Sequence, residues 1–152
     1  MLYELLKYVH IVLAITAVGA NLTYGVWLSR AAAQPRHWEF ALRGVKLLDD
    51  RMANPAYGFL FVTGAAMVVV GRIPWTTPWL LTAIVLYVGM LLIALLGYTP
   101  LLRRQIAVLL ASGPESAEFR ALAGPSLRYG IVLAVAVLVI AFLMVTKPEL
   151  WG

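Results

Sequence analysis

The chain alternates between long oily stretches and shorter segments where charge collects. Four stretches, Leu5–Leu28, Met52–Val70, Leu80–Leu102 and Tyr129–Thr146, carry no full charge apart from Lys7. Each runs for about 18 to 24 residues, the length an α-helix needs to cross about 30 Å of hydrocarbon. The pattern predicts an all-α, integral membrane four-helix bundle forming a single domain, with spans of about 5–28, 52–70, 79–102 and 127–146. Small residues at Ala31-Ala32-Ala33 follow the first stretch, but its apolar run is too long for a signal peptide and Arg30 interrupts the approach to them, so it is expected to stay as a span.

The segments between spans set the orientation. Arg30, Arg36, Arg43, Lys46 and Arg51 fall in the first connection, and Arg103, Arg104, Arg120 and Arg128 in the third, whereas Gly71–Trp79 holds only Arg72. Basic loops stay in the cytoplasm, which predicts a bundle with both termini outside, in the inner (plasma) membrane of a cell as a multi-pass protein. The outer Gly71–Trp79 connection brackets Pro74 and Pro78 with Trp75 and Trp79, as expected of a tight hairpin at the headgroup layer.

Both inner connections carry a helical pattern of their own. Trp38, Ala41, Leu42, Val45, Leu48 and Met52 recur at helical spacing, and most charges fall elsewhere, which predicts a short amphipathic cytoplasmic helix along the inner headgroups. Ser112-Gly113-Pro114-Glu115 resembles a capping box ahead of Phe119, Leu122 and Ala123, so a second short amphipathic helix is expected in the third connection. Pro55 and Pro125, each near the start of a later span, suggest a parallel repeat of two halves.

Composition removes several function classes. Hydrophobic residues make up 62% of the 152 and charged residues 12%, about half the share of a soluble domain. Mean hydropathy is +0.88. The net charge of +5 lies in the loops, where topology puts it, so no nucleic-acid partner is expected. With no cysteine there are no disulfides, thiolate metal sites or iron–sulfur ligands. No catalytic or metal-binding signature of a metalloprotease, nucleotide hydrolase or serine hydrolase occurs, and the spans hold no Asp or Glu.

What chemistry remains centres on the first span. His10 is the one histidine in a span, and an ionisable group at that depth is a functional candidate by default. It is read either as a ligand of haem b or a proton-handling group beside a quinone, or as a neutral imidazole bonded to a neighbouring helix. Asn21, eleven residues on, returns to nearly the same face, with Ala14 and Ala17 between, so this polar stripe should face protein. Thr16, Thr23 and Thr63 are read as interhelical hydrogen-bond groups, or with Asn21 as the lining of a solute path. Arg30, Arg51, Arg103 and Arg104 stand at inner helix ends, as contacts for lipid headgroups or another anion.

Leu6-Lys7-Tyr8-Val9-His10, Arg30, Leu101-Leu102-Arg103-Arg104 and Met144-Val145-Thr146-Lys147-Pro148, in this order and spacing, resemble the bacterial integral membrane proteins grouped as domain of unknown function twenty-two sixty-nine. That resemblance covers nearly the whole chain and implies four spans in an inner membrane. More distantly, the first span and its basic loop are similar to HemJ-type protoporphyrinogen oxidases and CopD-type copper-resistance domains. The HemJ-type pattern pairs the first-span histidine with a lysine after a later Trp-Leu, and Trp79-Leu80-Leu81-Thr82-Ala83 carries none. The methionines form no cluster suited to Cu(I). The residues together predict a non-enzymatic accessory or assembly component, as a homo-oligomer or with a membrane protein partner; the alternatives are a haem- or quinone-linked redox protein using His10, and an oligomeric small-solute transporter.

Overall fold

The computed structural model describes residues 1–151, which form helices joined by short turns and an irregular end over 147–151, with no strand among them. Helix α1 covers Leu2–Ala33, α2 Trp38–Leu48, α3 Asn54–Val70, α4 Pro78–Ile93, α5 Thr99–Ser112 and α6 Ala117–Thr146. The Asp49–Ala53 segment joins α2 to α3 as one π-helical turn, and Ala94–Tyr98 joins α4 to α5 in the same way. The molecule is therefore four long rods: Leu2–Ala33, Pro35–Val70, Pro78–Ser112 and Ala117–Thr146, each long and apolar enough to cross a membrane.

Proline explains both π turns. Pro55 and Pro100 offer no N–H to the turn before them, and the residue ahead of each, Asn54 or Thr99, donates instead to a carbonyl five residues back, Asp49 or Ala94. Pro125 causes no such turn and lies inside α6, so the proline that matches Pro55 is Pro100. The parallel-repeat register expected from Pro55 and Pro125 is not the one the helices show.

The rods outrun the bilayer. At about 1.5 Å per residue the 36-residue rod is about 54 Å long, well beyond about 30 Å of hydrocarbon. At the end bearing the basic connections, Leu42, Val45, Leu102 and Phe119 are the largest fully buried side chains. The amphipathic pattern of α2 thus buries Ala41, Leu42 and Val45 against neighbouring helices rather than against headgroups. Trp38 meets Phe119 edge-on, with ring centroids 5.2 Å apart.

The third connection also differs from expectation. Gly113, at φ 77, ends α5, and Ser116 caps α6 by accepting the Phe119 N–H at 3.2 Å. The Ser112 capping box is therefore corrected to Ser116, and the short surface helix expected there is the opening of α6, which runs unbroken into its span. Ser116 wins because its hydroxyl also donates to the Gly113 carbonyl at 2.9 Å, fixing the turn between the two helices.

Within the bundle, α1 packs against α3 and α4 against α6, and α1 also meets α6. Most span side chains point away from this core: Ile15, Phe59, Leu96 and Val145 are all exposed. Only lipid accepts such a surface without penalty. At the hairpin end, Lys147 Nζ sits 5.4 Å from the Trp79 ring centroid, tying the close of α6 to the first turn of α4.

Candidate functional site

His10 of α1 reaches α3, where its Nδ1 lies 2.8 Å from Thr63 Oγ1. The Thr63 hydroxyl donates to the Phe59 carbonyl at 2.8 Å, so the imidazole Nδ1–H is the donor and Thr63 the acceptor. Glycine at position 64 makes room for the ring: a Cβ there would stand 3.3 Å from His10 Cε1. The bonded imidazole is one of the two readings of His10 reached from sequence. Within one chain the spans supply no second histidine for a haem iron.

Asn21 also faces α3, but it opens a different cluster. Its Nδ2 donates to the Tyr57 hydroxyl, and the Tyr57 backbone carbonyl accepts the Tyr87 hydroxyl of α4 at 2.6 Å. Thr16 and Thr23 do not join in; their hydroxyls bond back to Val12 and Ala20 carbonyls at 2.9 and 2.7 Å. Asn21, Thr16 and Thr63 thus make separate hydrogen bonds, Asn21 to Tyr57, Thr16 to the Val12 carbonyl and Thr63 to His10.

One step from Asn21 towards the basic end lies the group that the sequence did not single out. Asp49, in the first π turn, is only 8% exposed, although its neighbour Asp50 is exposed. Asn54 Nδ2 donates to Asp49 Oδ2 at 3.2 Å. Lys46, the nearest cation on the same helix, is bonded to Asp50 instead. The Tyr24 hydroxyl of α1 approaches Asp49, yet it is buried and closes no hydrogen bond. A cavity of about 30 Å³, room for a water or two, is bounded by Asn21, Asp49, Asn54, Tyr57, Tyr98 and Thr99. Burial pushes the Asp49 carboxyl above the ordinary carboxylate range, Asp50 adds to the rise, and Asn54, Lys46 and Tyr24 draw it part of the way back.

Both π turns line this cavity, Asp49 from the first and Ala94, Leu95 and Tyr98 from the second. Such turns break the regular ladder and are found often at functional sites. Residues 4–148 match the model of a family described as predicted integral membrane protein (DUF2269). The chain belongs to that family. No curated protein and no solved structure matches it. As a family member it is an integral, multi-pass membrane protein, and the family description adds no activity.

The four arginines are not gathered into one clamp. Arg30 lines a separate cleft between α1 and α2, whereas Arg51, Arg103 and Arg104 lie outside it, and Arg104 is paired with Glu118 at 3.2 Å. Asp49 was legible in principle. Leu42, Val45, Asp49 and Ala53 fall on one helical face, and an acid on an apolar stripe is the signal that marks it.

Proposed function

We propose that this protein is a non-enzymatic accessory component of the bacterial inner membrane whose bundle responds to protonation at Asp49. The observation that carries the reading is a buried carboxylate without a cationic partner. Leaving a buried charge uncompensated costs several kcal/mol, about 3–5 where one partner of an ion pair is removed, so a proton is the economical neutraliser. The groups facing Asp49 are Tyr24 from α1, Asn54 and Tyr57 from α3, Tyr98 from the second π turn, and Lys46 and Asp50 beside it on its own rod. None of them is a free cation, since Lys46 is bonded to Asp50.

The positive-inside rule puts Asp49 on the cytoplasmic side. A carboxylate at the joint between α2 and α3 is well placed to change how α2 packs on α5 when its charge changes. Protonated, it is a neutral hydrogen-bonding group in a tyrosine-lined pocket; ionised, it draws water or opens the joint. That coupling, rather than turnover of a substrate, is the proposed activity, exercised on a membrane protein partner or a second copy.

The native chain has no cysteine, so spin labels placed on Arg43→Cys of α2 and Leu110→Cys of α5, both exposed, report only on that pair. As pH is raised from below the ordinary carboxylate range into the alkaline range, the distance distribution should shift in the parent and stay fixed in the Asp49→Asn background. A distribution that ignores pH in both, or shifts equally in both, removes the proposal.

A further inference from the structure

At the end of α1 the chain turns sharply. Gln34 leaves the helix in extended backbone, Pro35–His37 make a single 3-10 turn, and α2 folds back along α1. Ala31 and Ala41, 1% and 2% exposed, let the two helices close on each other below the elbow. Above them opens a cleft of about 540 Å³, separate from the Asp49 pocket.

The cleft mixes two chemistries. An aromatic pair, Trp27 and Phe40, ring centroids 5.7 Å apart and both substantially exposed, lines it. So does a polar and basic set, Ser29, Arg30, Gln34 and His37. No acidic residue lines it, and Arg30 has no ion pair among the described residues. His37 Nε2 accepts from Arg36 Nε at 3.2 Å, which places the ring proton on Nδ1, free to donate. Arg36 adds a further positive charge behind the imidazole without an acid to balance it.

Depth decides what such a cleft meets. Arg30 lies 23 residues beyond Lys7 on one unbroken helix, about 35 Å along its axis, so the two charges mark opposite faces of a bilayer about 30 Å thick in hydrocarbon. Trp27 then stands at the carbonyl layer, and Arg30, Gln34 and His37 at the phosphates. We propose that this elbow binds one anionic phospholipid, its phosphate held by Arg30 and the His37 Nδ1–H and its upper acyl chain laid over Trp27 and Phe40. Charge complementarity selects the anionic headgroup, and the exposed aromatic pair selects a lipid over a free anion, which has nothing to lay on that wall.

Native mass spectrometry of the full chain, released from detergent after titration with phosphatidylglycerol, phosphatidylcholine or inorganic phosphate, tests this. One phosphatidylglycerol should remain bound, and its retention should fall at least about tenfold in Arg30→Ala/His37→Ala and in Trp27→Ala/Phe40→Ala. Arg120→Ala, which removes an exposed arginine outside the cleft, should retain lipid as the parent does and guards against a general loss of charge. Equal retention of phosphatidylcholine, an undiminished signal in the Arg30→Ala/His37→Ala protein, or displacement of the lipid by inorganic phosphate alone overturns the assignment. The outcome is independent of Asp49, because the Asp49→Asn protein should bind the same lipid.

Discussion

Exchanging Asp49 for asparagine keeps the side chain's shape and its acceptor for Asn54 while deleting the charge, so it isolates what ionisation costs the fold. Asp49 is 8% exposed and its carboxyl is held above the ordinary range by burial. In the unfolded chain it titrates near its usual value of about 3.9. Below that value both states carry the proton and ionisation costs nothing. As pH rises past it, the unfolded state loses its proton first, the native state binds more, and stability falls until pH passes the folded pKa. The slope for one proton is about 1.4 kcal/mol per pH unit. Across that window the parent should lose stability relative to Asp49→Asn at up to about that rate, then run parallel to it once both states are ionised. Reversible unfolding in mixed micelles of mild detergent and dodecyl sulfate, from about pH 4 to about pH 8, measures the difference directly. Parallel curves throughout, or a parent that gains on the variant as pH rises, would refute the claim that the buried carboxylate is destabilising when charged.

Three further outcomes follow from the packing. Phe119→Ala, at a side chain 2% exposed in the core at the basic end of the bundle, should cost about 3–5 kcal/mol by the same unfolding assay, whereas a loss under about 1 kcal/mol would mean that the helices are not packed together there. Thr63→Val should cost about 0.6 and no more than about 1.7 kcal/mol, because the His10 bond ties α1 to α3 in a medium that also offers the unfolded helices partners. Gln105→Met should raise stability by about 1 kcal/mol in thermal melts, since the Gln105 Oε1 is buried without a partner on a residue 2% exposed.

The spans were readable because lipid imposes one simple rule, unbroken apolar helix, and the four stretches obey it. The extensions were harder. Leu42 and Val45 were identified as an apolar face, but an amphipathic helix has the same pattern whether it lies on headgroups or packs on α5, and only the contacts across the bundle separate the two. Leu48 and Met52 were grouped with that face, while the structure buries Asp49 and Ala53. A charged side chain in a segment full of charge draws no notice, so Asp49 was passed over although it stands seven residues after Leu42. The π turns before Pro55 and Pro100 were hidden for a different reason: proline announces a disturbance without saying whether the helix breaks, kinks or widens. His10 was found at once because histidine is rare in spans. Its partner Thr63 was named too, but pairing them requires the register of α1 against α3.

Infrared difference spectroscopy of the protein in lipid asks the central question most directly, since a protonated carboxylic acid in a buried pocket absorbs apart from both carboxylate and amide. The account predicts such a band for the parent that persists above the pH at which an exposed aspartic acid ionises, its disappearance as the pH is raised further, and its absence from Asp49→Asn at every pH. A band lost at the pH where an exposed aspartic acid ionises, or one that survives the Asp49→Asn exchange, would contradict it.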